Sequence, residues 1–218
     1  MKEYQIKRYS ILVLGNIVIG LGVAILLKAG LGIDPFTLMN MGISEAVGIN
    51  FSIVQWTISI VILVSVFFID RTKIFVGTVM NMLLVAPLIQ GFSWMVNGLI
   101  PDMQSLGINI VIVLIGCTVL SLGAGLYSGT GLGLSPYDLI AIMIAERKPI
   151  AFRWMRIITD VICVIVGWLL GSVVGIGTVI VALCMGPLIS LFKEKTEEYL
   201  RKSHEKIAEQ VAQQSIEL

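Results

Sequence analysis

An internal duplication restricts the fold of this chain more than any other feature. Laying residues 15–45 over residues 116–146, a displacement of 101, matches eleven of 31 positions, among them Gly15, Gly22, Gly30, Gly32, Pro35 and Glu45. A displacement of 100 lays residues 77–92 over 177–192 and matches eight of 16, including Gly77, Thr78, Pro87 and Phe92. Apolar composition alone produces matched Leu and Val, but not Gly, Pro, Thr and Glu in register. The chain therefore reads as one unit of about a hundred residues used twice, at 9–97 and 107–192, followed by a charged, Gln-rich tail at 193–218.

What the unit is made of fixes where it folds. Of the 218 residues, 57% are hydrophobic and 13% charged, against about 25% charged in an ordinary soluble domain. Mean hydropathy is +0.97. So much apolar surface cannot all be buried inside a small globule, and the remainder must face lipid. The fold class is therefore all-α, a polytopic transmembrane helical bundle. Six stretches are long enough to cross about 30 Å of hydrocarbon as helices: 9–28, 51–69, 74–97, 107–128, 152–170 and 174–192. The basic N-terminus leads directly into the first of them, with neither the shorter core nor the cleavage site of a signal peptide.

Two shorter apolar stretches, 36–47 and 137–145, each follow a Gly/Pro interruption. Short, interrupted segments of this kind are expected to be re-entrant or broken helices. If neither crosses the membrane, 14 of the 15 basic residues fall on one side, with Lys28 alone on the other. If both cross, Arg71 and Lys73 change sides. The positive-inside rule thus favours six spans with both termini in the cytoplasm. Three crossings per copy invert the second copy relative to the first, as in many secondary transporters.

The matched core is Gly30-Leu31-Gly32-Ile33-Asp34-Pro35-Phe36-Thr37 in one copy and Gly131-Leu132-Gly133-Leu134-Ser135-Pro136-Tyr137-Asp138 in the other. Glycine allows sharp turns, and Pro35 and Pro136 suit the first position of a helix. Asp34 and Ser135 fall where an N-cap belongs, and Asp138 follows Ser135 as in a capping box. Two readings fit. Either each motif offers helix N–H groups to a substrate, or it is a tightly capped turn that seats the short helix. The aspartates already satisfy those N–H groups, which weakens any anion site.

Asp160, near the middle of 152–170, is the most informative single residue. An ionised carboxylate at that depth costs several kcal/mol unless paired or hydrated. Arg156 stands one turn earlier on the same face. A structural ion pair and a cation- or proton-binding role are both open. Glu45 and Glu146 match across the copies at the ends of the short helices, where solvated interfacial pairing and gating are the alternatives. Asn16, Gln55, Asn81 and Gln90 are amides on apolar spans, suited to interhelical hydrogen bonds or to lining a cavity. The small residues Gly20 and Ala24, with Ser121 and Gly125, favour close helix packing. Pro87 and Pro187 interrupt their spans. Cys117, Cys163 and Cys184 lie in apolar runs and read as packing residues. In the tail, Leu200, Ile207 and Val211 share one helix face.

The paired Gly-x-Gly-x-[Asp/Ser]-Pro-[Phe/Tyr] motifs, with the later Gly-Thr-Val and Pro-Leu-Ile runs, resemble the bacterial YczE/YitT-type membrane proteins over roughly residues 10–192. The resemblance implies a bacterial cytoplasmic-membrane location. It transfers no catalytic residues.

The leading expectation is a transporter of a small molecule or ion. Its substrate-binding or coupling residues are drawn from Asp34, Pro35, Ser135, Pro136, Asp138, Asp160, Arg156, Asn81 and Gln55. The alternative is a substrate-binding membrane subunit or a regulatory scaffold acting through a protein partner or as a homodimer. An enzyme is not expected, because no nucleophile–base pair or metal cluster is recognisable. The lone His204 lies in the tail, so no metal site or cofactor is expected, and a net charge of +1 gives no sign of a nucleic-acid partner.

Overall fold

A computed structural model describes residues 2–99, 101, 105–147 and 152–216. Among the described residues it is all helical. The helices are α1 (Lys2–Ala29), α2 (Pro35–Val47), α3 (Phe51–Asp70), α4 (Val76–Leu99), α5 (Leu106–Gly129), α6 (Pro136–Arg147), α7 (Phe152–Leu169) and α8 (Ile176–Ile216). Long, short, medium and long helices thus follow one another twice. Five of them, α1, α3, α4, α5 and α8, are long and apolar enough to cross a bilayer by length and composition. The outer surface fits that reading: Trp94, Phe68 and Leu183 are each more than 70% exposed. In water such surface would drive aggregation; against lipid tails it costs nothing.

Helix α7 is the exception that its sequence explains. Its 18 residues include Arg153, Arg156 and Asp160. Arg156, Asp160, Cys163 and Gly167 follow helical spacing along one stripe, while Ile157, Ile158, Val161, Ile162, Ile165 and Trp168 are exposed. The polar stripe faces the protein and the apolar one faces out.

Two groups of four helices result. In the first, α1, α4, α5 and α8 pack on one another around Leu12, Val23, Leu26, Val113 and Val181. In the second, α2 and α6 pack with α3 and α7. The first group owes its closeness to glycine. Gly15 faces Tyr127, Gly22 faces Leu120, Gly116 faces Leu26 and Gly123 faces Ile19. A Cβ at Gly15 would lie 2.7 Å from the Tyr127 nitrogen, so α1 and α5 touch backbone to backbone. As numbering rises along one helix it falls along the other: they are antiparallel. Each pair also recurs when 101 is added to one member and subtracted from the other, so that 15–127 becomes 116–26.

The loops repeat the pattern. The Gly77 N–H donates to the Leu132 carbonyl at 2.9 Å, and the Gly177 N–H donates to the Leu31 carbonyl at 2.8 Å. The loop of each half therefore docks on the first turn of the last helix of the other half. This close approach requires Gly32 and Gly133, whose φ angles are 103° and 139°.

Several small expectations resolve here. Gly20 packs on Leu88 of α4 and Gly125 on Phe192 of α8, close contacts that small residues permit. Gln90 on α4 donates to Asn50, which caps α3. Cys184 is exposed, unlike Cys117 and Cys163, because its face of α8 points outward. The tail is not a separate element: α8 runs unbroken through Pro187 to Ile216. Leu200 and Ile207 are buried, and His204 and Ser203 meet Tyr4 and Lys7 at the start of α1. The side chains of Glu146 and Val211 lie outside the described residues; Glu45 is exposed at the end of α2.

Candidate functional site

The two short helices begin where the two halves meet. At α2, Asp34 Oδ1 accepts the Thr37 N–H at 3.1 Å and Pro35 opens the helix. At α6, Ser135 Oγ accepts the Asp138 N–H at 3.1 Å, behind Pro136. Both are N-caps of the kind their residue types dictate. The expected capping box is altered in one respect. Instead of returning to the Ser135 backbone, the Asp138 carboxylate accepts the Ser135 hydroxyl at 2.7 Å and is held by Arg156. A guanidinium outcompetes a backbone amide for a carboxylate, because it adds a full opposite charge to the hydrogen bond.

The residues after the two prolines, Phe36 and Tyr137, stack with ring centroids 4.8 Å apart and planes inclined by 23°. Arg156 lies over the Tyr137 ring, 4.6 Å from its centroid. One ring face cannot hold both neighbours, so the order is Phe36, Tyr137, Arg156. The Tyr137 hydroxyl donates to Asp160 Oδ1 at 2.5 Å, and Arg156 Nε lies 3.3 Å from the same oxygen. Arg156 thus bridges Asp138 on α6 and Asp160 at the midpoint of its own helix, α7. The three side chains are 18–27% exposed, and the Cys163 thiol adjoins Tyr137.

Asp34 belongs to the same electrostatic neighbourhood, within the field of both Arg156 and Asp160. It is 9% exposed. Its Oδ2 has no hydrogen-bond partner among the described residues, and neither have Gln55 Oε1 or either amide atom of Asn40. Buried polar atoms are normally satisfied, so such groups call for an explanation.

Of the residues expected from sequence, Ser135, Pro136, Asp138, Arg156 and Asp160 come together around α6 and α7, with Asp34 and Pro35 at the facing helix start. Gln55 is buried on α3. Asn81 stands apart: its Nδ2 donates to Asn16 Oδ1 at 2.8 Å, and Asn16 Nδ2 donates to the Leu12 carbonyl at 2.8 Å. That clamp ties α1 to α4 and plays no part in the cluster. The aromatic pair was missed, although the two rings are matched across the duplication and immediately follow the prolines. A shallow cleft lined by Tyr4, Gly131, Arg201 and His204 lies at the far end of α1, away from these residues.

Comparison with known proteins gives a family without an assigned activity. Residues 6–194 match the model of a family of unknown function, DUF6198, and the chain belongs to that family. It is 25% identical over 192 residues to YczE, an uncharacterised membrane protein of Bacillus subtilis, covering 87% of this chain and 86% of that one. An uncharacterised protein of Haemophilus influenzae is 28% identical over 191 residues, 86% of this chain and 84% of its own length. YyaS of Bacillus subtilis, also uncharacterised, is 21% identical over 192 residues, 88% and 95% of the two chains. No solved structure matches. The chain is thus a YczE-type membrane protein, as its paired motifs suggested.

Proposed function

We propose that this protein transports a small molecule or ion across the bacterial cytoplasmic membrane, by alternating access between two inverted halves. In this reading α1, α3, α4, α5, α7 and α8 cross the membrane, α2 and α6 do not, and both termini are cytoplasmic. The antiparallel contact of α1 with α5 supports it. If all eight helices crossed, each half would make four crossings and its first helix would run parallel to the other's. Thirteen of the 15 basic residues then fall on the cytoplasmic side, with Arg156 drawn into the site and Lys28 opposite, which agrees.

One observation carries the functional part. Two half-helices meet N-terminus to N-terminus, with ionisable groups gathered at the midpoint of α7, where charge is costly unless it has a use. The four helices around that point touch the other four chiefly through α3 and through glycine-bearing loops. Such a seam suits one group rocking against the other.

The test has two stages. In a background lacking Cys117, Cys163 and Cys184, Ser105→Cys is expected to react with an impermeant thiol reagent from outside, and Thr72→Cys only after permeabilisation. Labelling of Ser105→Cys from the cytoplasmic side alone would sink the inverted arrangement. Proteoliposomes on a solid-supported membrane are then screened with gradients of small cations, anions and zwitterions. A current for any solute that is absent from protein-free liposomes supports transport. Silence over the whole panel, in protein of the stated topology, refutes transport and leaves a binding subunit that works through a partner. The second reading is favoured by the exposed charges on the extension of α8, at Glu198, Arg201, Lys202 and Glu205.

A further inference from the structure

We infer that the first hairpin of this site binds a planar organic cation of the guanidinium or amidinium class, with Asp34 as its counter-ion. The inference rests on the reading of the paired hairpins as the solute site, and it names the solute's chemistry.

The second hairpin supplies the pattern. There the chain's own guanidinium, Arg156, lies on an aromatic face and pairs with Asp138 at the start of a half-helix and with Asp160 on its own helix. The duplication places Phe36 where Tyr137 stands, Gln55 where Arg156 stands and Ser59 where Asp160 stands. The first hairpin therefore has a ring at the equivalent place and no cation of its own, and its carboxylate, Asp34, stands at the cap position that Ser135 holds in the second. Asp34 uses one carboxylate oxygen to cap α2, and the other has no partner among the described residues. Gln55, 6% exposed, likewise has an unpartnered Oε1. Asn40, one turn beyond Phe36, adds an unpartnered amide with both an acceptor and a donor, but among the described residues the one charged group left open here is the Asp34 carboxylate, which calls for a cation that donates.

The sign of the charge agrees. Asp34, Asp138 and Asp160 face a single guanidinium, a formal balance of −2. Two helix N-termini offset about one unit of it, at roughly half a charge each. The remainder is negative, which disfavours an anion and favours a cation. A bare metal ion is a poorer match, since Na+ or Ca2+ seeks six or so oxygens at fixed short range. A planar cation instead extends the stack already present, Phe36 on Tyr137 on Arg156.

The experiment is equilibrium binding of radiolabelled guanidinium to the purified full-length protein in detergent, at constant ionic strength. Saturable binding is expected, displaced by methylguanidinium and not by equimolar Na+. Asp34→Asn should weaken it at least about tenfold, the effect of losing one charge-assisted bond. Gln55→Arg should abolish it by placing a tethered guanidinium at the position equivalent to Arg156. If Asp34→Asn does not remain monodisperse, Gln55→Arg carries the test. The inference is overturned if the wild type binds no guanidinium saturably, if Na+ competes equally, or if folded variants bind undiminished. Its failure is separable from that of the transport reading. Solute currents without guanidinium binding sink the cation site and leave transport standing; binding without current for any solute does the reverse.

Discussion

The two hairpins use the same backbone device to opposite chemical ends. Both begin with a glycine loop docked on the far half of the molecule, a proline at the first helical position and an aromatic ring stacked on its counterpart. In the second hairpin the three charges at the site are partnered inside the protein: Asp138 and Asp160 share Arg156, and Tyr137 closes on Asp160. In the first, Thr37, Gln55 and Ser59 replace Asp138, Arg156 and Asp160, and Asp34 keeps an oxygen without a partner among the described residues. The backbone device is shared, while the side chains close one hairpin within the protein and leave a carboxylate oxygen open in the other. The matched Gly, Pro and aromatic residues hold the fold, while the mismatched ones set the charge of each hairpin.

The contrast breaks most readily at Arg156. Its removal leaves two carboxylates without compensation in a poorly solvated place. Arg156→Ala is expected to destabilise the protein by about 3 kcal/mol, within the range for breaking a buried pair. Gln55→Ala, which removes no charge, should cost less than about 1 kcal/mol. Equilibrium unfolding in mixed micelles compares them directly. Arg156→Met combined with Asp138→Asn and Asp160→Asn should recover most of the loss, because the penalty lies in the orphaned charges. Equal costs for Arg156→Ala and Gln55→Ala would mean that the halves differ in sequence but not in energetics.

The glycine loops sharpen the comparison from the other side, since there the halves should behave alike. A Cβ at Gly133 would lie 2.7 Å from Thr78 Oγ1, and Gly32 meets Thr178 in the same way. Both glycines have φ values that L-residues rarely adopt. Gly32→Ala and Gly133→Ala are each expected to cost about 2 kcal/mol, and to agree within about 1 kcal/mol. A large difference between them would show that the two docked loops are not equivalent.

Much of this was legible in the sequence, because Gly and Pro punctuate strongly. The short helices expected at 36–47 and 137–145 are found at Pro35–Val47 and Pro136–Arg147, with Asp34 and Ser135 as their caps. The Arg156–Asp160 pair followed from helical spacing alone. Three things were not legible. The closure of Tyr137 on Asp160 depends on α6 lying beside α7, which no local pattern states. The docking of each loop on the opposite half is a long-range contact. The outward direction of Cys184 and the continuity of α8 into the tail depend on packing: one face of α8 has neighbours in α5 and α1, and the other carries the exposed Leu183, Cys184 and Leu191.

A smaller effect is expected at the aromatic pair. Tyr137→Phe removes a hydrogen bond to a carboxylate and should cost about 1.5 kcal/mol, with the stack on Phe36 retained. The reciprocal change, Phe36→Tyr, has no carboxylate to meet, since Ser59 takes the place of Asp160 at a displacement of 101, so no compensating gain is expected in the single variant. Combining Phe36→Tyr with Ser59→Asp recreates the second hairpin's pair in the first. A coupling energy of about 1 kcal/mol in that double-mutant cycle would show that the two backbones are interchangeable. No coupling would place the difference in the backbone and not in the side chains.

The smallest expected effect is the most diagnostic. Asp34→Asn keeps an oxygen able to cap the Thr37 N–H, so the cap, worth about 1 kcal/mol, survives. It also removes a charge whose second oxygen has no partner among the described residues. The two changes nearly cancel, and stability without added solute should shift by less than about 0.5 kcal/mol, with gain more natural than loss. Asp160→Asn should behave differently, because Asp160 already has Tyr137 and Arg156 as partners and loses part of both. A carboxylate that costs the fold nothing to remove is retained for a ligand; one that costs several times more is part of the frame. If Asp34→Asn proves as destabilising as Asp160→Asn, Asp34 is a structural residue, and the first hairpin is as closed as the second.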